Sequence, residues 1–139
     1  MDIDGEGADD ESGRSVSLSA NGQILAIGAD GNEDNGVNAG HVRVYQFDGS
    51  QWTQIGMDID GEAAGDESGR SVSLSADGQT LAIGARRNDD NGSNAGHVRV
   101  YSLVDPIPTL SHWTLFILGM MLSIVAVVVI RRRSSGILE

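Results

Sequence analysis

Gly69 to Tyr101 reads GRSVSLSADGQTLAIGARRNDDNGSNAGHVRVY, and Gly13 to Tyr45 repeats it almost letter for letter. Aligning 1–45 with 57–101 leaves eight differing positions: Gly7, Asp9, Asn21, Ile24, Asp30, Gly31, Glu33 and Val37 of the first copy. Self-similarity at a fixed spacing marks a repeat architecture, in which each unit needs neighbours to cover its apolar faces.

Within the unit the period is two, the period of a strand. Val72 and Leu74 alternate with Ser71, Ser73 and Ser75. Asp77-Gly78 then marks a hairpin turn. Leu81 and Ile83 fall on one face of the partner strand, with the small Ala82 and Gly84 on the other. Small side chains there allow another sheet to approach closely. Residues 86–96 are rich in Asn, Asp and Gly and read as a loop. His97-Val98-Arg99-Val100-Tyr101 alternates again, and a fourth strand is expected at 51–55, entered through the turn at 47–50.

Four antiparallel strands in such a short repeat is the pattern of a β-propeller blade. The Gly-Arg-Ser-Val-Ser start, the Leu-Ala-Ile-Gly-Ala strand at 81–85 and the closing Gly-His-Val-Arg-Val-Tyr at 96–101 resemble the FG-GAP, or integrin-α-type, propeller repeat. The resemblance implies two propeller-like blades of four-stranded antiparallel sheet, over 1–56 and 57–104, forming an incomplete propeller. Many repeats of that family carry an acidic calcium loop between their first two strands. Here only Ser75-Ala76-Asp77-Gly78-Gln79 stands there, too short to encircle an ion, so those ligands do not carry over. A propeller needs at least about four blades. Met1 aligns inside the repeat, with Met57, so the chain is expected to be the C-terminal remnant of a longer propeller protein.

The repeats give way at Pro106 and Pro108 to a linker over 105–112, where alternate prolines hold the chain extended. Residues 113–130, WTLFILGMMLSIVAVVVI, carry no charge. As a helix they span about 27 Å, against about 30 Å for a hydrocarbon core. Trp113 stands at one end as an interfacial aromatic, and Arg131, Arg132 and Arg133 close the other. The expectation is one C-terminal transmembrane α-helix with a basic cytoplasmic tail at 131–139 and the repeats outside the cytoplasm. Ile107, Pro108, Thr109, Leu110, Ser111 and Trp113, followed by the apolar span and the arginines, resemble the IPTL-CTERM sorting signal, a relative of PEP-CTERM tails. That resemblance implies recognition by an exosortase-type transpeptidase at the membrane, removal of the hydrophobic segment and delivery to the bacterial cell envelope or outer surface.

Charge is distributed unevenly along the 139 residues. Residues 1–112 carry six Arg against 19 Asp and Glu, a balance of −13, whereas 113–139 are at +2. So acidic a body repels phosphates, and nucleic acid is set aside as a partner. There is no cysteine, hence no disulfide, thiolate ligand or thiol nucleophile. The N-terminal residues lack the basic and apolar regions of a secretory signal peptide.

No catalytic set is legible. The serines have no G-x-S-x-G setting and no spacing that pairs them with His and Asp. His41 and His97 occupy equivalent strand positions beside Arg43 and Arg99 and read as structural, and no H-E-x-x-H or similar spacing points to zinc. Asp30-x-Asn32-x-Asp34 begins like a calcium loop, but its copy puts Arg86 and Arg87 in place of Asp30 and Gly31. Asp58-Ile59-Asp60 reads as a strand edge with Ile inward. No cofactor is expected, with calcium left open. The expected role is non-enzymatic: a structural or adhesion module for a surface protein or glycan, with a permanently anchored, calcium- or glycan-binding protein as the alternative.

Overall fold

Alternating residues pair into hairpins that stack as two antiparallel sheets. The computed structural model describes residues 1–104, which form one unit, Met1–Val104. The expected membrane helix at 113–130, the six motif residues between 107 and 113 and the three arginines lie outside the described residues. Among the described residues no helix is long and apolar enough to cross a membrane.

The first sheet has the order β1 (Ser15–Leu18), β2 (Ile24–Ala29), β3 (His41–Phe47), β4 (Trp52–Gln54). A two-residue strand, β5 (Ile59–Asp60), also pairs with β3, matching Val42 with Ile59. Since β2 holds the other edge of β3, β4 and β5 lie end to end as one interrupted outer strand. The second sheet has the order β6 (Ser68–Leu74), β7 (Thr80–Ala85), β8 (His97–Ser102).

The expected four strands per unit are therefore found in the first sheet and not in the second, which has three among the described residues. The outer edge of β3 is filled by segments that lead into the next repeat, whereas the residues that follow Val104 lie outside those described. The tight turns match the sequence expectation. Ser75 Oγ bonds Asp77 Oδ1 at 2.6 Å, Asp77 Oδ1 accepts the Gln79 N–H at 3.0 Å, and Gly78 takes φ +72°. Ser19, Asn21 and Gln23 build the same turn in the first copy.

The two sheets stack face to back. Ala26, Val42 and Val44 of the first form the core with Leu81 and Ile83 of the second, flanked by the half-buried Ile24, Ile59, Val72 and Leu74. Ser17 Oγ accepts the Leu74 N–H at 2.9 Å, and Ser15 Oγ donates to the Gly69 carbonyl at 2.7 Å, so the serines of β1 stitch the seam. A Cβ at Gly28 would overlap the Gly69 carbonyl oxygen, which is why the backbones can approach so closely. This is the close approach expected of the small-residue face. The same alternation consequently has opposite surroundings in the two copies. Val72 and Leu74 point into the seam, while Val16 and Leu18 face outward at 62% and 56% exposure. On the far side of the second sheet Val98 and Val100 are each 66% exposed, although their equivalents Val42 and Val44 are buried.

Candidate functional site

The outward face of the first sheet carries a buried row, His41, Arg43 and Tyr45, at alternate positions of β3. The N-terminal segment lies against it. Arg43 donates from Nη2 to the Asp4 carbonyl at 2.8 Å, and its Nη1 stands 3.7 Å from Glu6 Oε1. The guanidinium also sits over the Tyr45 ring, 5.7 Å from its centroid. Burial raises the Tyr45 phenol above its ordinary value, with Arg43 opposing.

His41 is 1% exposed, and its Nδ1 has no hydrogen-bond partner. The nearest acceptor, Glu6 Oε2, is 3.8 Å away, outside hydrogen-bond range. Glu6, Asp34, His41 and Asp58 each bring one ligand atom into a group within 4.8 Å of one another. They arrive from the N-terminal segment, the β2–β3 loop, β3 and the β4–β5 connection. Asp34 is placed by an Asx turn, its N–H donating to Asn32 Oδ1 at 3.1 Å, and Asn32 is anchored in turn to Asp10 at 3.2 Å. Asp58 is held by Gln54 Nε2. In the second copy Glu62, Asp90 and His97 converge in the same way, with His97 Nδ1 3.5 Å from Glu62.

A separate charged network crosses the seam. Arg70 Nη1 bonds Asp30 Oδ2 at 2.9 Å, and Glu67 gathers Arg86 at 2.7 Å and Arg87 at 2.8 Å. The hydrogen bond from Arg86 is the main reason the Glu67 carboxyl is held below its ordinary value. Glu11, Arg14, Asp30, Asn38, Glu67 and Arg70 line a polar hollow of about 160 Å³. A larger open groove, about 460 Å³, runs over the uncovered face of the second sheet past Gly84 and Val98.

The residues that stand out in the sequence thus have definite places. Asp30, at the start of the calcium-type loop, faces Arg70 instead, and Asn32 is spent on Asp10 and Asp34. Of that trio only Asp34 joins the His41 group. Ser15 and Ser17 serve the seam. His41 and His97 share a face with Arg43 and Arg99 as expected. Glu6 comes beside His41 through the packing of the N-terminal segment on β3, and Asp58 through the pairing of β5 with β3, a neighbourhood that their spacing along the chain does not signal.

Among known families, the FG-GAP repeat matches residues 58–101 and the IPTL-CTERM motif matches residues 105–133. No curated protein matches the chain. The chain carries an FG-GAP repeat followed by an IPTL-CTERM motif, the architecture its sequence resembles. Both are repeat and sorting-signal types rather than enzymatic ones, and together they support an exported surface protein with a C-terminal sorting signal.

Proposed function

We propose that the paired sheets are a structural or adhesive module, carried to the cell envelope by a tail that an exosortase-type transpeptidase recognises and removes. The observation that carries the reading is the order of parts: the β unit ends at Val104 and the sorting motif begins at residue 105. A proline-stiffened, extended strand beside the bilayer offers its backbone to a protease cleft. Residues 113–130 supply the apolar helix that halts in the membrane, and Arg131, Arg132 and Arg133 hold its end in the cytoplasm. In this reading the sheets are two blades of a propeller-type stack.

Intact-mass measurement of the protein recovered from its native envelope tests this. The expected species lacks everything beyond the region 107–113. A mature protein that retains 113–139 would overturn processing and favour a permanently anchored single-pass protein.

A further inference from the structure

We propose that Glu6, Asp34, His41 and Asp58 form a site for a divalent transition-metal ion of the zinc or manganese class. The inference stands apart from the sorting reading and rests on the first sheet alone.

His41 carries it. An imidazole 1% exposed with an unpartnered Nδ1 is unusual, because buried polar atoms almost always have a partner. That atom stands 3.8 Å from Glu6 Oε2, and Asp34 and Asp58 bring carboxylate oxygens into the same group, whose donor atoms lie within 4.8 Å of one another. Metal–nitrogen and metal–oxygen bonds of about 2.0–2.2 Å put neighbouring ligand atoms roughly 3.3–3.6 Å apart around a tetrahedral ion. The His41–Glu6 gap is only a few tenths of an ångström wider than that.

The electrostatics agree. Three carboxylates converging on one imidazole repel one another unless a cation sits among them. Arg43 offsets part of this charge, but it approaches Glu6 through Oε1 and leaves Oε2 on the His41 side. Asp34 is fixed through its backbone N–H, which donates to Asn32 Oδ1, and Asp58 through its carboxylate, whose Oδ1 accepts from Gln54 Nε2, the outer-shell support that ligating carboxylates ordinarily have.

The donor set decides the class of ion. Calcium takes six to eight oxygen ligands, whereas an imidazole nitrogen with carboxylates suits zinc, manganese and their neighbours. The second copy provides an internal comparison. Glu62, Asp90 and His97 reproduce three of the four donors, and among the described residues no counterpart of Asp58 joins them. The four-donor group among the described residues is the one on the first sheet.

The test uses the full chain in detergent micelles, stripped with a chelator and titrated with zinc chloride alone. One tight equivalent per chain is expected, with an affinity in the micromolar range or better. Glu6→Gln and Asp34→Asn change exposed side chains and leave the strands in place, as circular dichroism would verify. Each should weaken that equivalent by at least about 10-fold. Asp90→Asn should leave it within about two-fold, and X-ray absorption should show one imidazole on the ion. No uptake at roughly 100 µM zinc would overturn the site. So would uptake indifferent to Glu6→Gln and Asp34→Asn, or displacement of zinc by equimolar calcium.

Discussion

Arg70 of the second sheet places its Nη1 2.9 Å from Oδ2 of Asp30 in the first, forty residues earlier in the chain. Asp30 is 4% exposed, and its Oδ1 has no partner of its own. The carboxylate therefore depends on Arg70 across the seam, with Arg14 of its own copy a more distant second at 3.9 Å.

Removing that cation should be costly. Arg70→Ala leaves a nearly buried carboxylate underpaired, and a loss of about 1–3 kcal/mol is expected, the pair being partly open to solvent on the arginine side. Arg14→Ala should cost less. In urea unfolding of the full chain, Asp30→Asn combined with Arg70→Ala should fall short of the sum of the single effects. Strict additivity would mean the two groups do not interact.

Gly28 and Gly84 are equivalent residues in the two copies with different neighbours. Alanine at 28 meets the Gly69 backbone, which has no room to yield, while at 84 it meets only the Ser71 hydroxyl, which can rotate away. Gly28→Ala should lower stability by about 1–3 kcal/mol and loosen the seam. Gly84→Ala should be close to neutral. Hydrogen exchange at Leu74, whose N–H bonds Ser17, reads the difference directly; equal protection in both variants would contradict the stacking.

The depressed Glu67 carboxyl makes a pH prediction. Its folded value lies below the ordinary 4.5 because Arg86 donates to it and Arg87 and Arg70 stand near. The ionised form is thus favoured in the folded state. Its contribution is fully present above about pH 4.5 and lost as pH falls through the lowered folded value. Glu67→Gln should flatten that part of the acid limb in urea midpoints taken from pH 6 down to pH 3, and an unchanged slope would remove Glu67 from the account.

The tail should respond to charge. Under the proposed topology, replacing Arg131, Arg132 and Arg133 with Gln would weaken the signal that holds this end in the cytoplasm. The expected outcome is accumulation of full-length protein with residues 113–139 retained. Pro108→Ala should slow loss of the tail while leaving membrane insertion intact, by comparing total and mature mass in envelope fractions. Normal maturation of both variants would argue that neither feature is read.

Much of the sheet structure was legible because its signals are local. Alternation located β1, β2, β6 and β7, the Asn21-Gly22 and Asp77-Gly78 turns set the hairpins, and Trp52–Gln54 lies inside the expected strand at 51–55. Ile59 pairs with Val42, in keeping with Asp58-Ile59-Asp60 as a strand edge. What periodicity cannot express is which face meets which neighbour. Val16 and Val72 are the same residue in the same motif, yet one is exposed and the other packs on the core, since only one sheet has a neighbour on that side. The His41 group is invisible in the sequence for a further reason: its members come from four segments spread from Glu6 to Asp58, and spacing rules see only donors that lie close in sequence.

Duplication copied the shape of the seam onto the outer surfaces but altered its lock. Val98 and Val100 offer the landing that Val42 and Val44 provide within the molecule, and Gly13 has the positive φ of Gly69 with open space around it. At the position of Asp30, however, stands Arg86, already turned toward Glu67. A newcomer docking in the inherited orientation would bring Arg14 to a cation instead of a carboxylate. Contour invites another layer and charge discourages it, so the addition of like upon like is restrained by one altered side chain rather than by any change of surface form.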